Sequence, residues 1–377
     1  MKYDLMVVGA GILGTFHAFA AAKRGYKVLL VEKDSQPVQA TVRNFGMVVP
    51  SGMTADLLPT ALDSLSIYQT LQDQFDISAR RNGSWYIASD DQELAMLQEL
   101  HQRNQQTGYP SSLQSIDEVI RANPAVKKSY AKGALYFPEE FSVNPLQLIY
   151  RIIEFIQQEY TVEYRPNTQI ISMETGQDEV ISMDSAGEQY RASKAIVCNG
   201  HDFKTLFPSR FLNSDIELVK LQMMRTKPLK SVSLNGNLLS GRTIRRYESF
   251  RNLPSWSAGE KDPELDKYGI HILFKQELDG SIIIGDSHEY ADAREAEKLS
   301  FTMNQSINER MLTEARNIVE LPCWDIAEYW AGYYCQSKTD HYYQDHIDDK
   351  IHFLTAIGGK GMTLAPGIAE KNIENIL

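Results

Sequence analysis

Residues 1–34 read MKYDLMVVGAGILGTFHAFAAAKRGYKVLLVEKD, and what this stretch becomes decides the fold. Tyr3 to Val8 is a short apolar run with the character of a buried strand. Ile12 to Arg24 carries apolar residues at helical spacing, and Tyr26 to Val31 is a second buried run. The spacing predicts strand, helix, strand. Gly9, Gly11 and Gly14 fall around the first turn, and glycine loses the most backbone entropy on ordering, so three at this spacing need a cause. A phosphate supplies one. The first glycine makes the tight turn, the second lets the backbone approach a pyrophosphate, and the third lets helix pack closely on strand. The backbone from Gly9 through Ala10, Gly11, Ile12 and Leu13 to Gly14 then presents amides and the positive end of a helix to the anion. Glu32, followed by Lys33, closes the second run about 20 residues on, where a carboxylate accepts hydrogen bonds from a ribose hydroxyl.

The chain of 377 residues exceeds the size at which a single core stops growing, so two domains are expected. Lys and Arg number 38 against 49 Asp and Glu, and the net charge of −11 disfavours nucleic acid or an anionic membrane as partner. Cys198, Cys323 and Cys335 are too few and too scattered for a disulfide framework or a zinc cluster, and no metal site is expected. A reducing cytoplasm is the expected location. The first residues run directly into a strand without a basic leader, and no apolar run reaches the roughly 18 residues of a membrane span.

Further along, Thr54 to Arg103 carries helical segments around the strand-like RRNGSWYIASD, with a turn at Asn82-Gly83. Asn144-Pro145 opens a helix over LQLIYRIIEFIQQ, with Asn as N-cap and Pro in the first turn. Short strands return in TVEYRP, TQIISME, EVISMDS and EQYRASKAIVCNG, the last ending in Gly200. From Ile216 to Tyr290 the runs IELVKLQMMRT, GIHILFKQELDG and SIIIGDSHEY predict a second, antiparallel sheet, with a hairpin turn at Leu278-Asp279-Gly280. The basic run GRTIRRY is placed on that sheet. Glu295 to Ile318 reads as a polar helix broken once. A strand, a glycine turn and a helix close the chain in IHFLTAIGGKGMTLAPGIAEKNIENIL.

The GAGILG opening with Glu32-Lys33, the stretch Arg43-Asn44-Phe45-Gly46-Met47, the AIVCNG strand and the closing GGKGMTLAPG together resemble the D-amino-acid oxidase superfamily, glycine and sarcosine oxidases above all. Within it, RNFGMVVP, GDSHEY and GKGMTLAPG resemble a subgroup of flavin oxidoreductases linked to aminophosphonate breakdown. The resemblance implies a mixed α/β (α+β) fold: a discontinuous Rossmann-like FAD-binding domain of 1–80, 140–215 and 320–377, with an inserted antiparallel β-sheet substrate domain of 81–139 and 216–319. It implies FAD, bound noncovalently, and oxidation of a C–N bond by hydride transfer to flavin N5 with O2 as acceptor. The protein's share of such chemistry is positioning and electrostatics.

Site residues follow from the same resemblance. Thr41, Arg43, Asn44, Gly46 and Met47 stand where the family's chain crosses the pyrophosphate and reaches the flavin ring. Arg43, if it faces inward, pairs with the phosphates or with an anionic substrate. Gly358, Gly359, Lys360, Gly361, Met362 and Thr363 begin the closing helix, whose N-terminus and lysine suit the negative charge of reduced flavin near N1 and O2. Amino-acid-specific members carry an arginine shortly after a Trp-x-Gly stretch, clamping the substrate carboxylate. After Trp330-Ala331-Gly332, this chain has Tyr334 or Cys335 there, depending on the direction of counting. Loss of that fork disfavours an ordinary α-amino acid.

Met47, Arg246, Tyr247, His271, Tyr334 and Lys360 are therefore the candidates for substrate contact, with Arg225, Arg242, Arg245 and His288 as further basic groups. A phosphonate, with up to two charges and three acceptor oxygens, suits several separate donors. The expected substrate is a small zwitterionic amine: a secondary amine or amino acid, with an N-methylated aminophosphonate in that class. The alternative is a 2-hydroxy acid oxidised by a flavin dehydrogenase. No catalytic acid or base declares itself, because hydride leaves a neutral amine.

Overall fold

The computed structural model describes residues 2–259 and 262–377. Its opening unit is the expected one. A strand over Lys2–Val8 leads through the glycine turn into a helix over Ile12–Ala22, and a second strand, Val28–Val31, lies parallel to the first, Leu5 opposite Val28 and Val8 opposite Val31. A side chain on Gly14 would put its Cβ 1.9 Å from the Gly9 carbonyl oxygen, so the absence of one sets how closely helix meets strand.

These strands belong to an eight-stranded sheet whose main path runs Ile170–Thr175, Val180–Asp184, Gln189–Val197, Lys2–Val8, Val28–Val31, Val162–Arg165, with Ile351–Thr355 and its antiparallel neighbour Tyr343–Ile347 joined off that path. Gln189–Val197 runs parallel to the first strand along its length. On its other side its first half pairs antiparallel with Val180–Asp184, and its end pairs parallel with Ile351–Thr355. The chain thus re-enters its first sheet twice. Apolar side chains from the opening helix, from Pro145–Glu159 and from the closing helix Gly361–Ile376 form one core against it. Asn144 caps its helix as expected, its side chain accepting from the amides of Leu146 and Gln147.

The second sheet has nine strands, ordered Glu289–Asp292, Ile216–Thr226, Ile282–Gly285, Leu273–Gln276, Asn237–Leu239, Ser84–Ala88, Gly133–Phe137, Ser112–Gln114, with Ile326–Ser337 along the free side of Ile216–Thr226. A small sheet of Met47–Val48, Phe141–Ser142 and Arg80–Arg81 lies apart from both.

Three sequence expectations are corrected. Ile326–Ser337, placed with 320–377 in the nucleotide domain, pairs instead along Ile216–Thr226, because an alternating aromatic run carries no mark of which sheet will accept it. GRTIRRY is not a strand. Gly241–Arg246 forms a short helix, held by Arg245 binding the carboxylates of Asp90 and the buried Glu93. SIIIGDSHEY breaks in two, Ile282–Gly285 pairing with one half of Ile216–Thr226 and Glu289–Asp292 with the other. Between them, at Asp286 to His288, the pairing with Ile216–Thr226 lapses, while Asp286 still exchanges backbone hydrogen bonds with His271 and the Gln222 backbone amide donates to Ser287 Oγ at 3.1 Å.

Candidate active site

A cleft of about 1050 Å³ joins the two sheets, at the upper end of the range for small-molecule sites. One end is lined by Gly9, Gly11, Ile12, Leu13, Glu32 and Lys33. The middle carries Thr41, Asn44, Gly46, Met47 and Gly200. The other end has Gly358 to Thr363 facing the second sheet's Arg246, Tyr247, His271 and Tyr334. Residues more than 340 positions apart in sequence therefore share one cavity.

At the nucleotide end the geometry follows from the turn. The opening helix has no side-chain cap of its own; Thr41 Oγ1 accepts from the Ile12 amide at 2.9 Å. The carboxylate of Glu32 accepts from the Ala10 amide at 3.0 Å and from the Asp34 amide at 3.2 Å, and burial raises its pKa above the usual carboxylate value. A Cβ on Gly9 would meet the Cys198 carbonyl oxygen at 2.4 Å. Beside it Asn199 Oδ1 is buried with no hydrogen-bond partner and belongs to a residue of the cleft wall.

Three of the expected cofactor residues stand outside the lining. Ala10 is buried beneath it, Gly14 faces the first strand from the helix, and Arg43 donates to the carbonyls of Val38 at 2.7 Å and Ala331 at 3.4 Å. Asn44 reaches the lining, yet its side chain braces its own loop: it donates to the Ala40 and Thr41 carbonyls and accepts from the Gly46 amide. Lys33 pairs with Asp202 at 3.1 Å.

The far end is where the closing helix begins. Gly358 has φ +67°, a left-handed turn that glycine adopts without strain. Thr363 Oγ1 accepts from the Val49 amide at 3.0 Å, and Lys360 Nζ lies 3.5 Å from Glu248. Of the candidate basic residues, three are already paired outside the cleft lining. Arg225 pairs with Glu328, Arg242 with Asp266, and Arg245 with Asp90 and Glu93. Arg246 lines the cleft and donates to Tyr290 Oη at 2.8 Å, but makes no ion pair among the described residues; the other arginine of the lining, Arg251, is exposed. Tyr334 and Tyr247 are raised above the usual phenol pKa, burial being the first cause, so both stay protonated donors.

Sequence reasoning missed Asp286. It lies in the break of the second sheet, in the cleft wall, with His271 and His288 around it. The available signal was Asp286-x-His288: residues two apart in an extended segment point the same way. The ligand atoms of His271, Asp286 and His288 lie within 4.8 Å of one another, a grouping with the residue types of a metal centre.

A family model described as FAD dependent oxidoreductase, DAO, matches residues 4–372. The chain belongs to the DAO family of FAD-dependent oxidoreductases. Among its relatives is a glycerol 3-phosphate dehydrogenase of Caloramator mitchellensis, 22% identical over 374 residues that cover 97% of this chain and 72% of the relative. Among solved structures, glycine oxidase from Bacillus cereus superposes with a TM-score of 0.78 at 20% identity, covering 100% of this chain and 95% of that one. L-proline dehydrogenase from P. horikoshii gives 0.79 at 18% identity, with coverages of 100% and 93%. The expected fold class is thus shown.

The residues present fit the DAO family's cofactor. Amides at the open end of the first helix suit a pyrophosphate, the glycines leave the backbone bare, Asn199 holds an unpaired buried acceptor, and the cavity runs on to a second helix N-terminus. Among the described residues no helix is long and apolar enough to cross a membrane.

Proposed function

We propose that this DAO-family enzyme oxidises the C–N bond of a small zwitterionic amine, a secondary amine or amino acid, with O2 as electron acceptor and FAD held without a covalent bond. FAD supplies the hydride acceptor. The observation that carries the reading is Arg246: a guanidinium in the cleft wall that makes no direct ion pair among the described residues, beside the protonated hydroxyls of Tyr247 and Tyr334. A partly buried cation in that state is completed by an anionic ligand. Separate donors rather than one fork suit a phosphonate as well as a carboxylate, so N-methyl-2-aminoethylphosphonate is the member of the class we favour. Lys360, at the mouth of the closing helix, adds a second positive charge in reach of the same cavity.

The chain's own residues orient the substrate and exclude water. Met47, Leu221, Met223 and Leu273 form apolar wall around the polar groups. Noncovalent attachment is supported by Cys335. Its thiol donates to the Gly200 carbonyl at 3.2 Å, contacts Thr355 Oγ1 at 3.4 Å, and is pushed up to a pKa of about 11 by burial, so it is a poor nucleophile. A peroxide-coupled assay over sarcosine, glycine, D-alanine and N-methyl-2-aminoethylphosphonate tests the substrate class and the acceptor together. Peroxide formation with one of them is expected; turnover of hydroxy acids alone, or with a dye acceptor alone, contradicts the reading.

A further inference from the structure

We propose that Asp286, with His288, is the receptor for the positively charged nitrogen of the substrate, facing the anion site at Arg246. The inference rests on reading the substrate as an amine. Asp286 is 8% exposed and lines the cleft, and its Oδ2 receives no hydrogen bond among the described residues. His271 Nε2 stands 3.1 Å from Oδ1, and His288 Nε2 stands 3.8 Å from Oδ2. A buried carboxylate left this way is costly unless a donor arrives.

The hydrogen bonds decide the protonation of His288. Its Nδ1 lies 3.2 Å from the Gly269 carbonyl, which only accepts, so Nδ1 carries the hydrogen and Nε2 of the neutral ring is a lone pair. Burial, together with Arg246, pushes the His288 pKa down to about 3, which keeps that ring neutral. His271 Nδ1 lies 3.0 Å from Thr243 Oγ1, and the His271 ring stacks on that of His288 with centroids 5.4 Å apart. Burial works against ionising Asp286, but its neighbours, Arg246 and the His271 contact among them, hold its pKa below the usual carboxylate value. Two acceptors, Asp286 Oδ2 and His288 Nε2, thus face one another at a spacing too long for a direct bond and suited to a shared N–H donor.

The donor has to be a cation of limited charge. A Cβ on Gly269 would sit 3.1 Å from His288 Cβ and 3.2 Å from Arg246 Nη1, so the guanidinium is an immediate neighbour of the cluster. It would repel a divalent metal more strongly than an ammonium. With the ammonium on Asp286 and the anion on Arg246, a zwitterion bridges the two; this is the form that binds, and its nitrogen gives up one proton to solvent before hydride leaves the neutral amine.

The test compares each amine with its uncharged oxygen isostere: sarcosine with methoxyacetate, and N-methyl-2-aminoethylphosphonate with 2-methoxyethylphosphonate. Binding is measured by calorimetry on the dithionite-reduced holoenzyme, which cannot turn over. The wild type is expected to bind the amine of at least one pair roughly tenfold or more tighter than its isostere, and Asp286→Asn to abolish the preference while changing the isostere's Kd by less than about threefold. Should Asp286→Asn not fold, His288→Gln reads the same preference. The inference is overturned if the wild type shows no preference in either pair, if the preference survives in the variant, or if elemental analysis finds a stoichiometric divalent metal whose removal abolishes the preference. Absence of amine oxidation would contradict the proposed function without touching this binding difference.

Discussion

The hydroxyl of Tyr68 donates to the carbonyl of Met362 at 2.9 Å, four residues before Pro366 in the closing helix. Proline has no N–H, so Met362 loses its helical donor, and the phenol from a neighbouring helix replaces it. Tyr68 is fully buried at this point. Tyr68→Phe leaves the carbonyl unpaired and is expected to lower stability by about 1–3 kcal/mol, read from denaturant midpoints. An unchanged midpoint would mean that the helix relaxes around its proline without the phenol.

Gly14 meets the Gly9 carbonyl so closely that a methyl group has nowhere to go. Gly14→Ala should push the opening helix off its strand, cost roughly 1–3 kcal/mol, and weaken FAD retention, because the turn that faces the pyrophosphate moves with the helix. The flavin-to-protein absorbance ratio after gel filtration measures this. Full retention would contradict the packing role.

Arg246 and Arg242 lie on one short helix but have different partners. Arg246→Gln is expected to raise the KM of the amine substrate by about 30-fold or more, with the flavin spectrum unchanged, since it removes the counter-charge of a partly buried anion. Arg242→Gln, breaking a surface pair with Asp266, should change KM by less than about threefold. Equal effects would place the anion elsewhere.

His17 gives the protein a calculable acid sensitivity. Its Nδ1 donates to the Leu13 carbonyl at 2.7 Å, its Nε2 faces Asn372 Nδ2 at 3.3 Å, and burial pushes its pKa down from 6.5 to about 4. The unfolded chain takes up the proton below about pH 6.5, and the native state only near pH 4. Stability is therefore full above pH 6.5 and falls as pH drops toward 4, by about 3 kcal/mol from this residue. His288 acts with the same sign. Urea midpoints between pH 7 and 4.5 should fall accordingly, and His17→Gln should flatten the slope; an unaltered slope would contradict the assignment.

What the sequence disclosed follows the range of the interactions involved. The opening unit was legible because Gly9, Gly11, Gly14 and Glu32 act on neighbours within one strand, helix and strand. The Asn144 cap is equally local. Ile326–Ser337 was not, since a strand's partner is set by what lies beside it after folding. GRTIRRY was misread because Asp90 and Glu93, about 150 positions away, hold it as a helix; the same contacts remove Arg245 from the candidate anion site and leave Arg246 in it. Asp286 was hidden in a run that looked like unbroken strand, and only the break at Ser287 turns it into the cleft.

The most direct test is anaerobic stopped-flow reduction of the bound flavin by sarcosine, glycine, D-alanine and N-methyl-2-aminoethylphosphonate, alongside L-lactate and glycerol 3-phosphate. The account expects saturable bleaching by at least one amine, N-methyl-2-aminoethylphosphonate first among them, and none by the hydroxy compounds at comparable concentration. Bleaching by lactate or glycerol 3-phosphate with every amine inert would contradict it.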